Sequence, residues 1–239
     1  ESYLISITSE IFKKTDNETG KPLVDLILDK AGQKGTGKWT GQISLELGSP
    51  VPTITSAVYD RFLSAKKEER VNASKIYSRT PMLHKADTSL IESVRRALYA
   101  SKICAYAQGF SMLKDASNTY GWNLNYAQIA KIFRGGCIIR AKFLTELAKE
   151  FTLDNNLASI LISPYFAKTI QTYEKDWRKV ISLAVENGIA AGAFTSSLSY
   201  FDNYRSAQMP MNLLQAQRDY FGAHTYERTD KDGIFHTRW

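Results

Sequence analysis

From Asp87 to about Lys114, apolar residues recur three and four apart, at Leu90, Ile91, Val94, Leu98, Ile103 and Tyr106. That spacing marks one face of a helix. Asp87, Thr88 and Ser89 supply its start. Small residues at Ala97, Ala100, Ser101, Ala105 and Gly109 let another helix pack closely against it. A helix this long needs partners, because most helical stability in proteins comes from tertiary packing.

The same period runs through the rest of the chain. Leu4, Ile7, Ile11 and Phe12 predict an opening helix, and Thr15 to Pro22 a polar loop. Val24, Ile27 and Leu28 predict a short helix ending before Gly32. Ile43, Leu45 and Leu47 also fit a strand, but a helix up to Gly48-Ser49-Pro50 agrees better with their surroundings. Ile54 to Phe62 reads as a helix capped by Thr53. Lys66 to Ile76 reads as a short charged helix, and Tyr77 to Lys85 as a loop. Asn118 to Trp122 predicts a turn. Further helices are expected over Tyr126–Phe133, Cys137–Phe151, Ala158–Ile162, Pro164–Asn187, Thr195–Arg205 and Leu213–Phe221, with a bend at Gly188–Gly192. From Gly222 onward the chain reads as an extended tail. Its rings, with Tyr220 and Phe221, are too many to stay in water. Clear period-two runs are absent, so the fold class is all-α.

The 239 residues carry 44% hydrophobic residues, enough for a real core. The net charge of +7 favours anionic partners. The basic residues occur at most in pairs such as Lys13-Lys14 and Arg95-Arg96, without the dense arm of a nucleic-acid binder. No apolar run reaches membrane-spanning length. Two cysteines, Cys104 and Cys137, both inside helical patterns, make a cytoplasmic setting the default. His84, His224 and His236 are too scattered for a metal cluster. The chain opens on Glu1, already in helical patterning, and is expected to be cut from something longer.

Two segments carry chemistry. Gly32-Gln33-Lys34-Gly35-Thr36-Gly37-Lys38 sets two lysines among three glycines before an amphipathic stretch. Glycines let the backbone approach a ligand, and a helix start attracts anions. The bland alternative is a turn with solvated lysines. The segment is neither a Walker loop nor a dinucleotide fingerprint. Near the end, Gln215 to His224 spaces Arg218 and His224 six apart around Tyr220-Phe221. Arg61 lies among the apolar positions of its helix, either as a satisfied interhelical arginine or with its fork turned to an anion. Gly135-Gly136, inside helical patterning, costs roughly 1 kcal/mol per glycine and points to tight packing or a helix junction.

Five segments in series, AGQKGTGKWT (31–40), ERVNAS (69–74), ALYASKICAYAQGF (97–110), FRGGCIIRAKFL (133–144) and QAQRDYFGAHTYERTD (215–230), resemble the C-terminal part of the decarboxylating 6-phosphogluconate dehydrogenases. The resemblance implies a large all-α domain over residues 1–210 that binds substrate and dimerises. Residues 211–239 would be a tail docked on the partner subunit. It implies oxidation and decarboxylation of 6-phosphogluconate to ribulose 5-phosphate with NADP, in a homodimer with exchanged tails. The family's substrate residues fall on Lys34, Thr36, Arg61, Arg218 and His224, the last two acting on the neighbouring subunit's site. Where the family has an apolar C-L pair after the arginine, this chain has Phe62 first. The family's general base, general acid and cofactor domain fall before Glu1, so no residue here takes a catalytic role and the chain alone is expected to be inactive. The alternative is a non-catalytic all-α interaction module that retains the fold.

Overall fold

The computed structural model describes residues 2–32, 34–77 and 87–239. The loop expected over Tyr77–Lys85 and His84 therefore lie almost wholly outside the described residues. The described chain is mostly helical: α1 (Tyr3–Lys13), α2 (Leu23–Leu26), α3 (Thr36–Leu47), α4 (Pro52–Ser64), α5 (Lys67–Ile76), α6 (Thr88–Tyr120), α7 (Tyr126–Arg134), α8 (Phe143–Leu153), α9 (Pro164–Glu186), α10 (Gly192–Tyr204) and α11 (Met211–Gly222). A 3-10 turn at Ile160–Ile162 precedes α9. Among the described residues no helix is long and apolar enough to cross a membrane. The chain divides into two compact units, Glu1–Tyr200 and Phe201–Trp239.

In the first unit α6 is the axis. The Asp87 carboxylate caps it by accepting from the Leu90 amide at 2.7 Å. The helix runs to Tyr120, six residues past the expected end, and stops where Gly121 takes φ +67°. The turn expected over Asn118–Trp122 is thus a helix end plus a glycine cap. Of its expected small residues Ala97, Ala100 and Ser101 are buried, together with Cys104 and Ala107, whereas Ala105 and Gly109 are half-buried. They let α9 lie close, bringing in Phe166, Ile170 and Trp177. The Phe143 ring lies 5.1 Å from Phe166 and 4.8 Å from Tyr106, and Phe110 stacks on Phe151 at 5.1 Å. Asp176 of α9 accepts from Ser93 and from Arg96 of α6, each at 2.8 Å.

Three further local expectations change. Thr53 does not cap α4: Val51 holds the cap position and Pro52 opens the helix. The Thr53 amide, an orphan donor at a helix start, instead donates to buried Gln108 of α6 at 2.9 Å, whose amide donates back to the Thr53 hydroxyl at 2.8 Å. Cys137 to Lys142 is not helical. Gly135 ends α7 and Gly136 takes φ +73°, so the glycine pair is a junction. The freed carbonyls find donors: the Tyr106 hydroxyl reaches Ile139 O at 2.9 Å and the Tyr3 amide reaches Arg140 O at 3.1 Å. Cys137 therefore sits half-buried in a turn, whereas Cys104 is buried in α6. Burial pushes the Cys104 thiol well up, which makes it unreactive. Finally, the tail is not simply extended. It closes into an antiparallel ribbon of β1 (Tyr226–Glu227) and β2 (Ile234–Phe235), with Tyr226 opposite Phe235. Strands of two residues are too short to show a period.

Candidate functional site

Lys34, Thr36 and Arg61 all fall in the first unit, on or against the glycine loop. Gly35 caps α3 with φ +114°, a conformation side chains resist, and Thr36 is the first helical residue. A Cβ on Gly37 would lie 2.7 Å from Val58 Cγ2, and one on Gly41 3.2 Å from Thr55 Cγ2. The two glycines, four apart on one face of α3, are what lets it press onto α4, the helix that carries Arg61. The first turn of α3 holds no acidic residue, so its exposed amides, Lys34 and Lys38 present positive potential together.

The run into the loop is clamped from the other side. Asp29 accepts from Lys67 at 2.5 Å and from Arg70 at 3.0 Å. These two cations, Lys67 foremost, hold its carboxyl down at about 2. Arg70 also donates to the carbonyls of Asp29 and Ser64. The Ala31 amide donates to the Ser64 hydroxyl at 2.9 Å, and that hydroxyl donates to Arg61 O at 2.7 Å. Arg61 Nη2 then donates to Gly32 O. Arg61 is thus bonded to the loop rather than to a neighbouring helix. One of its five N–H donors is spent on the loop, and the side chain remains exposed.

Arg218 and His224 fall in the second unit, on α11 and just past its end. Both are exposed. Arg218 Nη1 donates to Gln215 Oε1 at 3.1 Å. The His224 ring meets Phe221 edge-on at 5.9 Å and lies so close over Gly222 that a Cβ there would be 2.8 Å from Nε2. Between them is a group with no signal in composition or periodicity. Asp219 is fully buried. Its Oδ1 accepts from the Thr225 amide at 3.0 Å and from His236 Nδ1 at 2.8 Å. Its Oδ2 accepts from the Thr237 amide and from Trp239 Nε1, each at 3.0 Å. One carboxylate thus ties α11 to the turn after His224 and to the end of the chain. Its only sequence signal is a lone acid between Arg218 and Tyr220.

Burial alone would raise the Asp219 carboxyl, but the donors from Thr237, His236, Trp239 and Thr225 outweigh it and hold the group at about 2. An unfolded aspartate titrates near 3.9. Between those values the unfolded chain binds the proton first, so the contribution of Asp219 is complete above about pH 4 and drains away as the pH falls toward 2. Acid titrations of the wild type and of Asp219→Asn, followed by tryptophan fluorescence, should show an extra loss of stability in that window in the wild type only. Identical acid profiles would remove Asp219 as a stabilising group.

Among the described residues no group of three or more His, Cys, Asp or Glu side chains is placed to hold a metal. Nor does a strand precede the glycine loop: α2 and irregular chain lie before it. That excludes the strand–loop–helix cradle of a dinucleotide from this segment.

The chain is matched over residues 1–239 by the family model described as 6-phosphogluconate dehydrogenase, C-terminal domain. It is 57% identical to the NADP(+)-dependent, decarboxylating 6-phosphogluconate dehydrogenase of Bacillus subtilis, with 100% of this chain aligned to 51% of that protein. It is 52% identical to the NAD(+)-dependent, decarboxylating enzyme of the same organism, over 100% of this chain and 52% of that one. A solved structure of Plasmodium falciparum 6-phosphogluconate dehydrogenase, studied in apo form and in complex with NADP+ and with 6-phosphogluconate, superposes with a TM-score of 0.96 at 42% identity, covering 100% of this chain and 52% of that one. The chain spans about half the length of the curated relatives it matches. On its helical fold and its full-length match, the chain belongs to the 6-phosphogluconate dehydrogenase C-terminal domain family.

Proposed function

We propose that this chain is the substrate-holding and dimer-forming part of a decarboxylating 6-phosphogluconate dehydrogenase. Residues 1–210 serve as the substrate-binding domain and residues 211–239 as a tail that docks on a second copy. Lys34, Thr36 and Arg61 of one subunit and Arg218 and His224 of the other surround one substrate. The support is the chemistry of the two exposed clusters. A phosphorylated sugar acid carries about three negative charges at neutral pH. Lys34, Arg61 and Arg218 match them in number. Thr36 and His224 add directional hydrogen bonds for hydroxyl groups.

These residues bind and orient. None is placed to shuttle a proton between carbons, and hydride acceptance belongs to the NADP cofactor of the whole enzyme. The glycine loop is not a dinucleotide cradle, and the relatives are about twice as long as this chain, so the cofactor is assigned to the part of such a protein outside it. Relatives named for NADP and for NAD match this chain almost equally. The choice between the two is therefore assigned outside it. A cytoplasmic setting is proposed on the two free thiols.

Calorimetric titration of the full-length dimer tests the substrate. 6-phosphogluconate should bind, gluconate should bind far more weakly, and Arg61→Ala should cost roughly 2–5 kcal/mol of the difference. Equal affinity for the two acids would refute the phosphate-holding role.

A further inference from the structure

We propose that Gln215 and Asp219 are positioning residues that fix Arg218 and His224 relative to each other, so that an arriving anion meets both already in place. The proposal rests on the substrate reading above. Gln215 and Asp219 are four apart and share one face of α11. The Gln215 side chain is used at both ends. Its Oε1 accepts from Arg218 Nη1 at 3.1 Å, and its Nε2 donates to Thr225 O at 2.6 Å. Thr225 is thus gripped on both sides of its Cα: its amide by Asp219 Oδ1, its carbonyl by Gln215.

The backbone shows what the grip is for. Ala223 has φ +50° and Thr225 has φ +58°. His224 lies between two left-handed residues, neither of them glycine. For a β-branched residue such as Thr225 this conformation is a true outlier. Strain of this kind persists only where surrounding contacts over-determine it, and it gathers at ligand sites. Here the over-determining contacts are named: Asp219, Gln215 and the α11 cap, where the Ala223 amide donates to Asp219 O at 2.9 Å. The outcome is an exposed imidazole set by its backbone and braced against Phe221 and Gly222. Among the described residues neither ring nitrogen of His224 has a hydrogen-bond partner. Both are left for a ligand.

Gln215 is the sharper probe, because it is half-buried and touches both ligand-bearing elements. In the full-length dimeric enzyme, Gln215→Ala should raise the KM for 6-phosphogluconate by about tenfold to a hundredfold, the range of a misplaced binding group. The KM for the cofactor should stay within about twofold, with the melting temperature nearly unchanged. Gln215→Glu keeps the acceptor facing Arg218 but loses the donor to Thr225, and should raise the same KM. Combining Gln215→Ala with Arg218→Ala should cost less than the sum of the two, because Gln215 acts through Arg218. Asp219→Asn puts an amide group against at least one backbone donor, that of Thr225 or that of Thr237, whichever way it turns. It should shift the substrate KM in the same direction, and if it does not fold, the two Gln215 variants carry the test. A substrate KM unmoved in Gln215→Ala, or both KM values rising together, overturns the positioning role. A wild-type enzyme that turns over no 6-phosphogluconate overturns the substrate reading instead.

Discussion

Subunits of the full-length enzyme carrying Arg61→Ala and subunits carrying Arg218→Ala, each inactive as homodimers, are expected to recover activity when mixed. The two arginines lie in different compact units of the chain, one braced against the glycine loop and one on α11. If the tail serves the neighbouring site, each homodimer has both pockets damaged. A mixed dimer has one pocket with both lesions and one with neither. Random exchange makes about half the dimers mixed, so about a quarter of wild-type activity should return. The single lesions are severe because truncating one member of a desolvated charge contact costs roughly 2–5 kcal/mol and leaves the substrate's charge unpaired. Activity assayed after verified exchange decides it. A mixture as inactive as its parents means that the two arginines do not share a site across subunits.

The sequence disclosed the helices where their contacts are local and repetitive. The small residues of α6 announced a helix packed closely against others, and the cap at Asp87 marked its start; of its apolar stripe Ile103 is buried, whereas Ile91, Val94 and Leu98 stay exposed. It disclosed less where one residue's role depends on a distant partner. Thr53 resembles a cap, yet Gln108, 55 positions away, takes its amide. Cys137 sits in a helical pattern, yet a left-handed Gly136 and the Tyr106 hydroxyl make a turn of it. The same holds for the site. Charge and glycine content singled out the glycine-lysine segment, Arg61 and the segment with Arg218 and His224, and the family resemblance narrowed these to Lys34, Thr36, Arg61, Arg218 and His224. The groups that hold them in place, Ser64, Asp29, Gln215 and Asp219, are ordinary polar residues in sequence. Only the fold shows that Asp219 is fully buried and accepts four hydrogen bonds.

Removing the chain after Met211 should turn the proposed dimer into a monomer. The removed segment holds rings that its own unit leaves wet: Tyr220 is 70% exposed, Phe221 72% and Trp239 58%. Leu213, Leu214 and Ile234 are exposed as well. A large side chain of this kind presents about 150–250 Å². Covering even part of the group on a second copy therefore contributes several kcal/mol at about 25 cal/mol per Å². The segment also arrives pre-shaped. The β1–β2 ribbon and the Asp219 hydrogen bonds close it on itself, so little ordering cost remains at docking. The first unit keeps its own core, since Leu144, Leu147, Phe166 and Trp177 are all buried before Tyr200. Its helical circular dichroism should survive the deletion, which separates loss of association from loss of fold. Sedimentation velocity at micromolar concentration gives the answer. A truncated protein that keeps its helices and still sediments as a dimer would place the dimer contact outside the tail.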